Sequence, residues 1–241
     1  MRLNCDLGES YGAWQMGADD AVMPLIDQAN IACGVHAGDP IVMQRTIAMA
    51  LEHNVQIGAH PSYPDRQGFG RRSMALSEQE LIAWLHYQLS TLDGMAKVQG
   101  GKLVYVKPHG ALYNDMMHDE ALRHLIYKAM AQYDMSLSLM VLAGPNGQVL
   151  SCEAKQFGLS LLFEAFADRQ YAASGDLIPR QIEGAVLSHS DALRQASQLI
   201  EHQTVTTASG AVIAVQADSL CVHGDNPEAL ALLKDIRALM T

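Results

Sequence analysis

Short apolar runs alternate along the chain with longer segments in which apolar residues recur at helical spacing. Short runs bounded by polar or glycine-rich stretches predict strands, and the 3.6-residue recurrence predicts helices. Strands are expected at residues 2–6, 29–34, 55–60, 102–109, 137–144, 159–168 and 219–225. Helices are expected over 39–54, 77–101, 119–134, 146–158, 190–203 and 226–240, with a short one over 19–29 interrupted by Pro24. Two helix starts carry their own signal. Asp39 before Pro40 supplies a side-chain cap, then a residue whose missing N–H costs nothing in the first turn. Ser77 with Glu80 forms a capping-box pair, each side chain satisfying an otherwise orphaned N–H.

This alternation runs from residue 1 to 241 without a linker or low-complexity break, which predicts one α/β domain with a parallel sheet. A doubly wound sheet and a closed TIM-like barrel both satisfy the rhythm. The polar residues favour the barrel, because they fall at the ends of almost every strand, and a barrel collects its site from many strands at one mouth. Asn4 and Asp6 end the first strand, with Glu9 beyond; the second leads from Asn30 to His36. His60 ends the third, and Lys107 and His109 the fourth. Glu164, Asp168 and Arg169 belong to the sixth, His223 and Asp225 to the last. The fifth offers nothing titratable. Of ten histidines, four lie at strand ends, and that recurrence points to a functional mouth.

Composition narrows the function classes. A formal net charge of −10 argues against a nucleic-acid footprint, which normally shows as a basic patch. No apolar run approaches the ~20 residues of a membrane span, and residues 1–10 have no signal-peptide core, so a cytoplasmic protein is expected. Four scattered cysteines without a CxxC pair suit reduced, mostly buried thiols.

Within the stretch VKPHGALYN, residues 106–114, Lys107 and His109 share strand parity and face one way. A lysine there suits a developing oxyanion or a phosphate, and an imidazole with an ordinary pKa of about 6.5 suits proton transfer. An ion pair of Lys107 with a strand-end carboxylate such as Glu164 is compatible with either role. Asp6, His60 and His109 also offer an oxygen and nitrogen set for a divalent metal, although no HExxH or HxH pair fixes two ligands by local spacing. The loop HPSYPDRQGFGRRSM, residues 60–74, brings Arg66, Arg71 and Arg72, suited either to a substrate anion or to pairing with nearby acids. It is no nucleotide loop: GxxxxGK[ST] is absent, and GFGRRS breaks GxGxxG at its last position. Cys221 lies inside an apolar run with nothing beside it to lower its pKa, and GxSxG is absent, so a nucleophilic mechanism has no support.

The blocks LNCDLGE, NIACGVHAGDP, GAHPSYPDRQGFGRR, VKPHGALYN, FADRQY with GDLIPR, and CVHGD, in this order, make the chain resemble the LamB/YcsF family over nearly its whole length. Cys5 and Val35 stand where alanine and phenylalanine are usual, and no polar motif residue is lost. The resemblance implies a barrel akin to the glycoside hydrolase/deacetylase group, with an incomplete, roughly seven-stranded ring. It implies hydrolysis of the 5-oxo-L-proline lactam to L-glutamate at the expense of ATP, within a 5-oxoprolinase whose A component works with subunits B and C. ATP would then be bound mainly by those partners. Asp6, His60, Lys107 and His109 become the expected catalytic residues, with Asp6 or His60 as base and His109 as proton donor. The expected substrate-binding residues are Asn4, Glu9, Asn30, His36, Arg66, Arg71, Arg72, Glu164, Asp168, Arg169, His223 and Asp225. Two other classes stay open: a metal-dependent deacetylase or amidohydrolase without ATP, and a carbohydrate-binding or regulatory protein without chemistry of its own.

Overall fold

The computed structural model describes residues 1–222 and 227–240. Its strands are β1 (Arg2–Leu7), β2 (Gln28–Ala32), β3 (Gln56–His60), β4 (Leu103–Val106), β5 (Ser138–Leu142), β6 (Leu161–Phe166), β7 (Thr204–Thr206), β8 (Val212–Ala214) and β9 (Ser219–Cys221). All but β7 and β8 build one parallel barrel, in the order β1-β2-β3-β4-β5-β6-β9. The seven expected strands are thus the seven barrel strands. The ring is one short of eight, as expected, yet it is hydrogen-bonded all round, because β9 pairs with both β6 and β1. β7 and β8 form a separate antiparallel ribbon that the apolar pattern does not predict.

Around the barrel lie α1 (Asp19–Val22), α2 (Pro40–Glu52), α3 (Glu78–Val98), α4 (Gly110–His118), α5 (Glu120–Tyr133), α6 (Gly147–Gln156), α7 (His189–His202) and α8 (Pro227–Leu239). Both expected caps are present. Asp39 accepts from Ile41 and Val42 at the start of α2, and Ser77 with Glu80 closes a reciprocal capping box on α3. The expected helix at 19–29 breaks at Pro24 into α1 and a 3-10 turn (Met23–Leu25), leaving Gln28 for β2. The helix α4 is an addition to the expected elements. The expected strand over 102–109 ends at Val106, and Lys107–His109 lead into the helix instead. No helix among the described residues is long and apolar enough to cross a membrane.

Two kinds of packing follow from strand alternation. Residues facing the helices, such as Leu3, Cys5, Ile31, Ile57, Val106, Leu139 and Val141, are buried in the apolar shell with the inner faces of the helices. The lumen is largely polar. Gln28, Ser219, Asn4 and Asn30 form a hydrogen-bonded floor, Ser219 Oγ donating to Gln28 and Asn4 Nδ2 donating to Ser219 Oγ. Asn30 Nδ2 donates to Asn4 Oδ1 at 2.8 Å, and Tyr105 donates its hydroxyl to Asn30 Oδ1 at 2.6 Å. A buried polar network is stable only when its members satisfy one another, and this one does so layer by layer. Gly58 makes the room: a Cβ there would meet the Tyr105 ring at 2.2 Å. Cys5, Cys33 and Cys221 are buried, Cys152 is exposed, and all four are free thiols, as expected.

After β6 the chain folds back as a strap over the barrel mouth. Gln170 N–H donates to Ala185, Ile178 N–H to Gln170 and Leu187 N–H to Asp168. From beneath, Gln195 of α7 donates through Nε2 to the carbonyls of Phe166, Ala167 and Arg169.

Candidate active site

Lys107 and His109 keep strand parity beyond the end of β4 because the main chain keeps its pairing. Lys107 N–H donates to Ala59 O at 2.8 Å, and His109 N–H donates to Pro61 O at 2.7 Å. Both side chains therefore line the same cavity of about 300 Å³, together with Asp6, Glu9, His60, Arg71, Tyr113, Phe166, Arg169 and Arg180. That volume lies at the small end of the ~300–1,000 Å³ typical of small-molecule sites. Two surface grooves of about 600 and 590 Å³ are roomier; the second carries Asp115, His118 and Asp119, but neither sets a buried cation among carboxylates and imidazoles. The 300 Å³ cavity combines a cation, carboxylates and imidazoles, so we place the site there.

Its centre is the Lys107 ammonium, 2.9 Å from Asp6 Oδ1 and 2.7 Å from Glu164 Oε1. Burial works against the charge, but Asp6 and Glu164 outweigh it and hold Lys107 well above the usual lysine range. Glu164 has no solvent exposure and accepts from the Tyr113 hydroxyl at 3.0 Å. The ion pair and the cavity-lining role of Lys107 hold together. Contrary to the expectation from sequence, Cys221 has a cation beside it, Lys107 Nζ at 3.5 Å, but burial outweighs that cation and pushes the thiol well up.

Backbone carbonyls fix the protonation of two imidazoles. A carbonyl only accepts, so His60 Nδ1 donates to Lys107 O at 2.7 Å and His109 Nε2 donates to Phe69 O at 2.8 Å. The remaining nitrogens, His60 Nε2 and His109 Nδ1, face each other at 3.0 Å. With both rings neutral, two lone pairs would meet there. A proton held between them, or a cation, removes that repulsion. Asp6 Oδ2 stands 3.5 Å from His60 Nε2, while Oδ1 is held by Lys107 and Asn30.

A second tier backs this pair. His36 stacks on His109 with centroids 3.8 Å apart, and its Nε2 lies 3.2 Å from Glu9 Oε1, which is itself 3.5 Å from His109 Nδ1. Burial, followed by His60, holds His36 well below the usual imidazole range; burial, His36 and His60 do the same to His109. Burial raises the Glu9 carboxyl, with His109 opposing and Asp6 adding. Asp6, His60 and His109, and likewise Glu9, His36 and His109, place donor atoms within 4.8 Å of one another, so either set has the chemistry of a metal site.

The expected residues fall into distinct places. Asp6, Glu9, His60, Arg71, Lys107, His109 and Arg169 line the cavity. His36 stands behind His109 as described. Asn4, Asn30 and Glu164 are fully buried in the lumen, where they hold Lys107 and Asp6 rather than lining the cavity. The loop arginines divide. Arg72 is paired to the buried Asp65, and Arg66 donates to Gly34 O and lies over the Tyr11 ring, so neither lines the cavity. Asp168 contributes its carbonyl to the strap and likewise does not line it. His223 and Asp225 lie outside the described residues. Tyr113 and Arg180 join the cavity without having been expected. Tyr113 follows His109 by one helical turn and becomes visible once α4 is read from GALYNDMMH. Arg180 carries no signal beyond its place in GDLIPR.

One close contact explains a local glycine. Gly110 has φ +56°, and a Cβ there would meet Gly70 O at 2.6 Å, so the loop after β3 and the start of α4 touch backbone to backbone. That contact carries the Ala111 N–H to Gly70 O hydrogen bond and seats Phe69 O against His109.

A smaller cavity of about 210 Å³ opens on the other side of Asp6 and Glu9, lined also by Gln15, Met16 and Asp19. Burial pushes the Asp19 carboxyl up to about 6, although Gly8 N–H donates to it. The unfolded chain loses that proton near pH 4, so at pH 7 the folded state holds a carboxylate it disfavours. Asp19→Asn keeps the acceptor and is expected to raise the melting temperature at pH 7, with the gain fading toward pH 4. Melting curves of both proteins from pH 4 to 8 check this; a gain independent of pH would exclude the charge as its cause.

The family model described as LamB/YcsF family matches residues 1–241. The chain is 54% identical over 241 residues to the 5-oxoprolinase A subunit of Vibrio cholerae serotype O1, covering 100% of this chain and 97% of that protein. It is 52% identical over 238 residues to a 5-oxoprolinase A subunit of Pseudomonas putida, the one numbered 2, covering 98% and 92%. Among solved structures, the lactam utilization protein from Thermus thermophilus superposes with a TM-score of 0.91 at 40% identity, covering 100% of this chain and 95% of that one.

Proposed function

Because the chain belongs to the LamB/YcsF family, we propose that it is the A subunit of a 5-oxoprolinase, opening the 5-oxo-L-proline lactam to L-glutamate with ATP as co-substrate. The observation that carries this reading is the cavity in which the Lys107–Asp6 pair meets two imidazoles of fixed tautomer. A five-membered lactam is a stable amide, and phosphorylation of its oxygen by ATP makes the carbon electrophilic. The chain has no recognisable nucleotide loop, so ATP belongs on partner subunits B and C, and the activated ring is opened here. Water adds to the lactam carbon as Asp6 or His60 takes its proton. Lys107 steadies the negative oxygen or the phosphoryl group. The proton taken from water reaches His109 Nδ1 across its 3.0 Å contact with His60 Nε2, and the C–N bond breaks as that proton passes on to the ring nitrogen. The resulting acyl phosphate hydrolyses to glutamate and phosphate. A demand for ATP fits an enzyme of the cytoplasm.

Glutamate and phosphate release from 5-oxoproline and ATP tests the assignment, with this chain alone, with subunits B and C, and with B and C without it. Glutamate in the full mixture alone is the expected result. Equal turnover without this chain would refute a catalytic role.

The convergence of Asp6, His60 and His109 supports a second reading, a metal-assisted hydrolase. His60 Nε2 and His109 Nδ1, 3.0 Å apart, would supply two nitrogens and Asp6 an oxygen to one ion. A divalent ion there would supply Lewis acidity. On this reading, elemental analysis finds one divalent metal per chain, lost in Asp6→Asn and His60→Gln. On the metal-free reading the purified protein carries none, and chelator leaves its melting temperature unchanged.

A further inference from the structure

The cavity is chemically two-sided. One side carries Asp6, Glu9, His60, Lys107 and His109; the strap carries Arg169 and Arg180. Arg169 is only 8% exposed, yet it faces the cavity. Its Nη2 donates to Ile178 O at 2.6 Å, which fixes the plane of the guanidinium, and its backbone carbonyl is held by Gln195. Its Nε is buried without a hydrogen-bond partner among the described residues. A buried charged donor left in that condition costs free energy unless a ligand completes it. Burial and the neighbouring Arg180 both act to destabilise the Arg169 cation, with Asp168 opposing. Two guanidinium groups brought together beside a cavity are stabilised by an anion between them, and a planar carboxylate matches the guanidinium fork.

We propose that Arg169 and Arg180 form the subsite for the carboxylate of the lactam substrate, making Arg180 a specificity-determining residue. The proposal rests on the lactam-opening reading given above. In 5-oxoproline the carboxylate and the scissile carbonyl flank the ring nitrogen on opposite sides. With the carbonyl at Lys107 and Asp6, the carboxylate points across the cavity to the strap. Phe166, Leu177 and Pro179 line the same cavity and suit the methylene edge of the ring. The subsite thereby selects a cyclic amide bearing an acid over one without it.

The test uses the reconstituted enzyme with 5-oxo-L-proline and with its primary carboxamide, which keeps the ring and loses the charge. Arg180→Gln and Arg169→Lys are expected to lower kcat/KM for the acid by about 10- to 100-fold, mainly through KM, while the carboxamide is affected little. Equal losses on both substrates, or no loss on the acid, would overturn the subsite. Binding of the acid and the carboxamide to the isolated chain, read by saturation-transfer NMR, separates this from the function itself. If wild-type enzyme opens neither lactam, the function reading fails. The subsite still stands or falls on whether Arg180→Gln removes the preference for the acid.

Discussion

Lys107→Met is expected to abolish glutamate formation and to destabilise the fold together. Methionine fills much of the same space, but it leaves Glu164 without solvent exposure and without the cation 2.7 Å away. Breaking one side of a buried pair costs about 3–5 kcal/mol, because the other charge stays behind. Tyr113 still donates to Glu164, which offsets part of that cost. Loss of one preorganised electrostatic donor lowers kcat by about 100- to 1,000-fold. Asp6 Oδ1 then keeps only Asn30 of its two partners, so the fall should exceed that range. Denaturant unfolding and glutamate release from the reconstituted enzyme read the two effects. Activity within about tenfold of wild type would remove Lys107 from the reaction, whatever happened to stability.

His109→Gln is expected to lower kcat by about 100- to 10,000-fold with a smaller effect on KM, as befits a proton donor. It should also change how stability depends on pH. Burial and neighbouring histidines hold His36 and His109 well below the ordinary value of about 6.5. The unfolded chain takes up protons at these positions as pH falls past about 6.5, whereas the folded chain does not. Their contribution is therefore fully present above that pH and lost progressively below it. Wild-type stability should fall between about pH 6.5 and 5, and His109→Gln should fall less steeply. Urea midpoints from pH 8 to 5 measure this; parallel curves would show that His109 binds its proton equally in the folded and unfolded states.

The barrel strands were legible because each is a short apolar run bounded by polar residues, and apolar burial against helices needs no more than that. The ribbon of β7 and β8 was not, because TVT and VIA are short and only part of their surface packs inward. Helix α4 was hidden by Pro108 and Gly110, which read as the end of a strand. Asp6, His60, Lys107 and His109 could be named because strand parity and strand ends predict a common mouth. Their pairing could not, since it needs closure of the barrel between β1 and β9, more than 200 positions apart. Arg66, Arg71 and Arg72 are alike as residue types, and only the loop backbone decides that Asp65 claims Arg72 while Arg71 meets the cavity. Arg180 depends on a strap whose path follows from Gln195 and the Arg169 carbonyl, neither of which the linear pattern reveals.

The shared parity of Tyr105, Lys107 and His109 bears on how this chain tolerates changes of length. One residue inserted between Val104 and Tyr105 would move all three to the opposite face, where Val104 and Val106 now sit. The Tyr105 hydroxyl, the ammonium and the imidazole would leave the lumen in a single event, and Val106 and Pro108 would turn into it. A substitution can dim this site by degrees, but a frame-preserving insertion here extinguishes it at once. Length variation among proteins of this architecture should accordingly be confined to segments such as the turn joining β7 to β8, residues 207–211, which set no strand parity in the barrel.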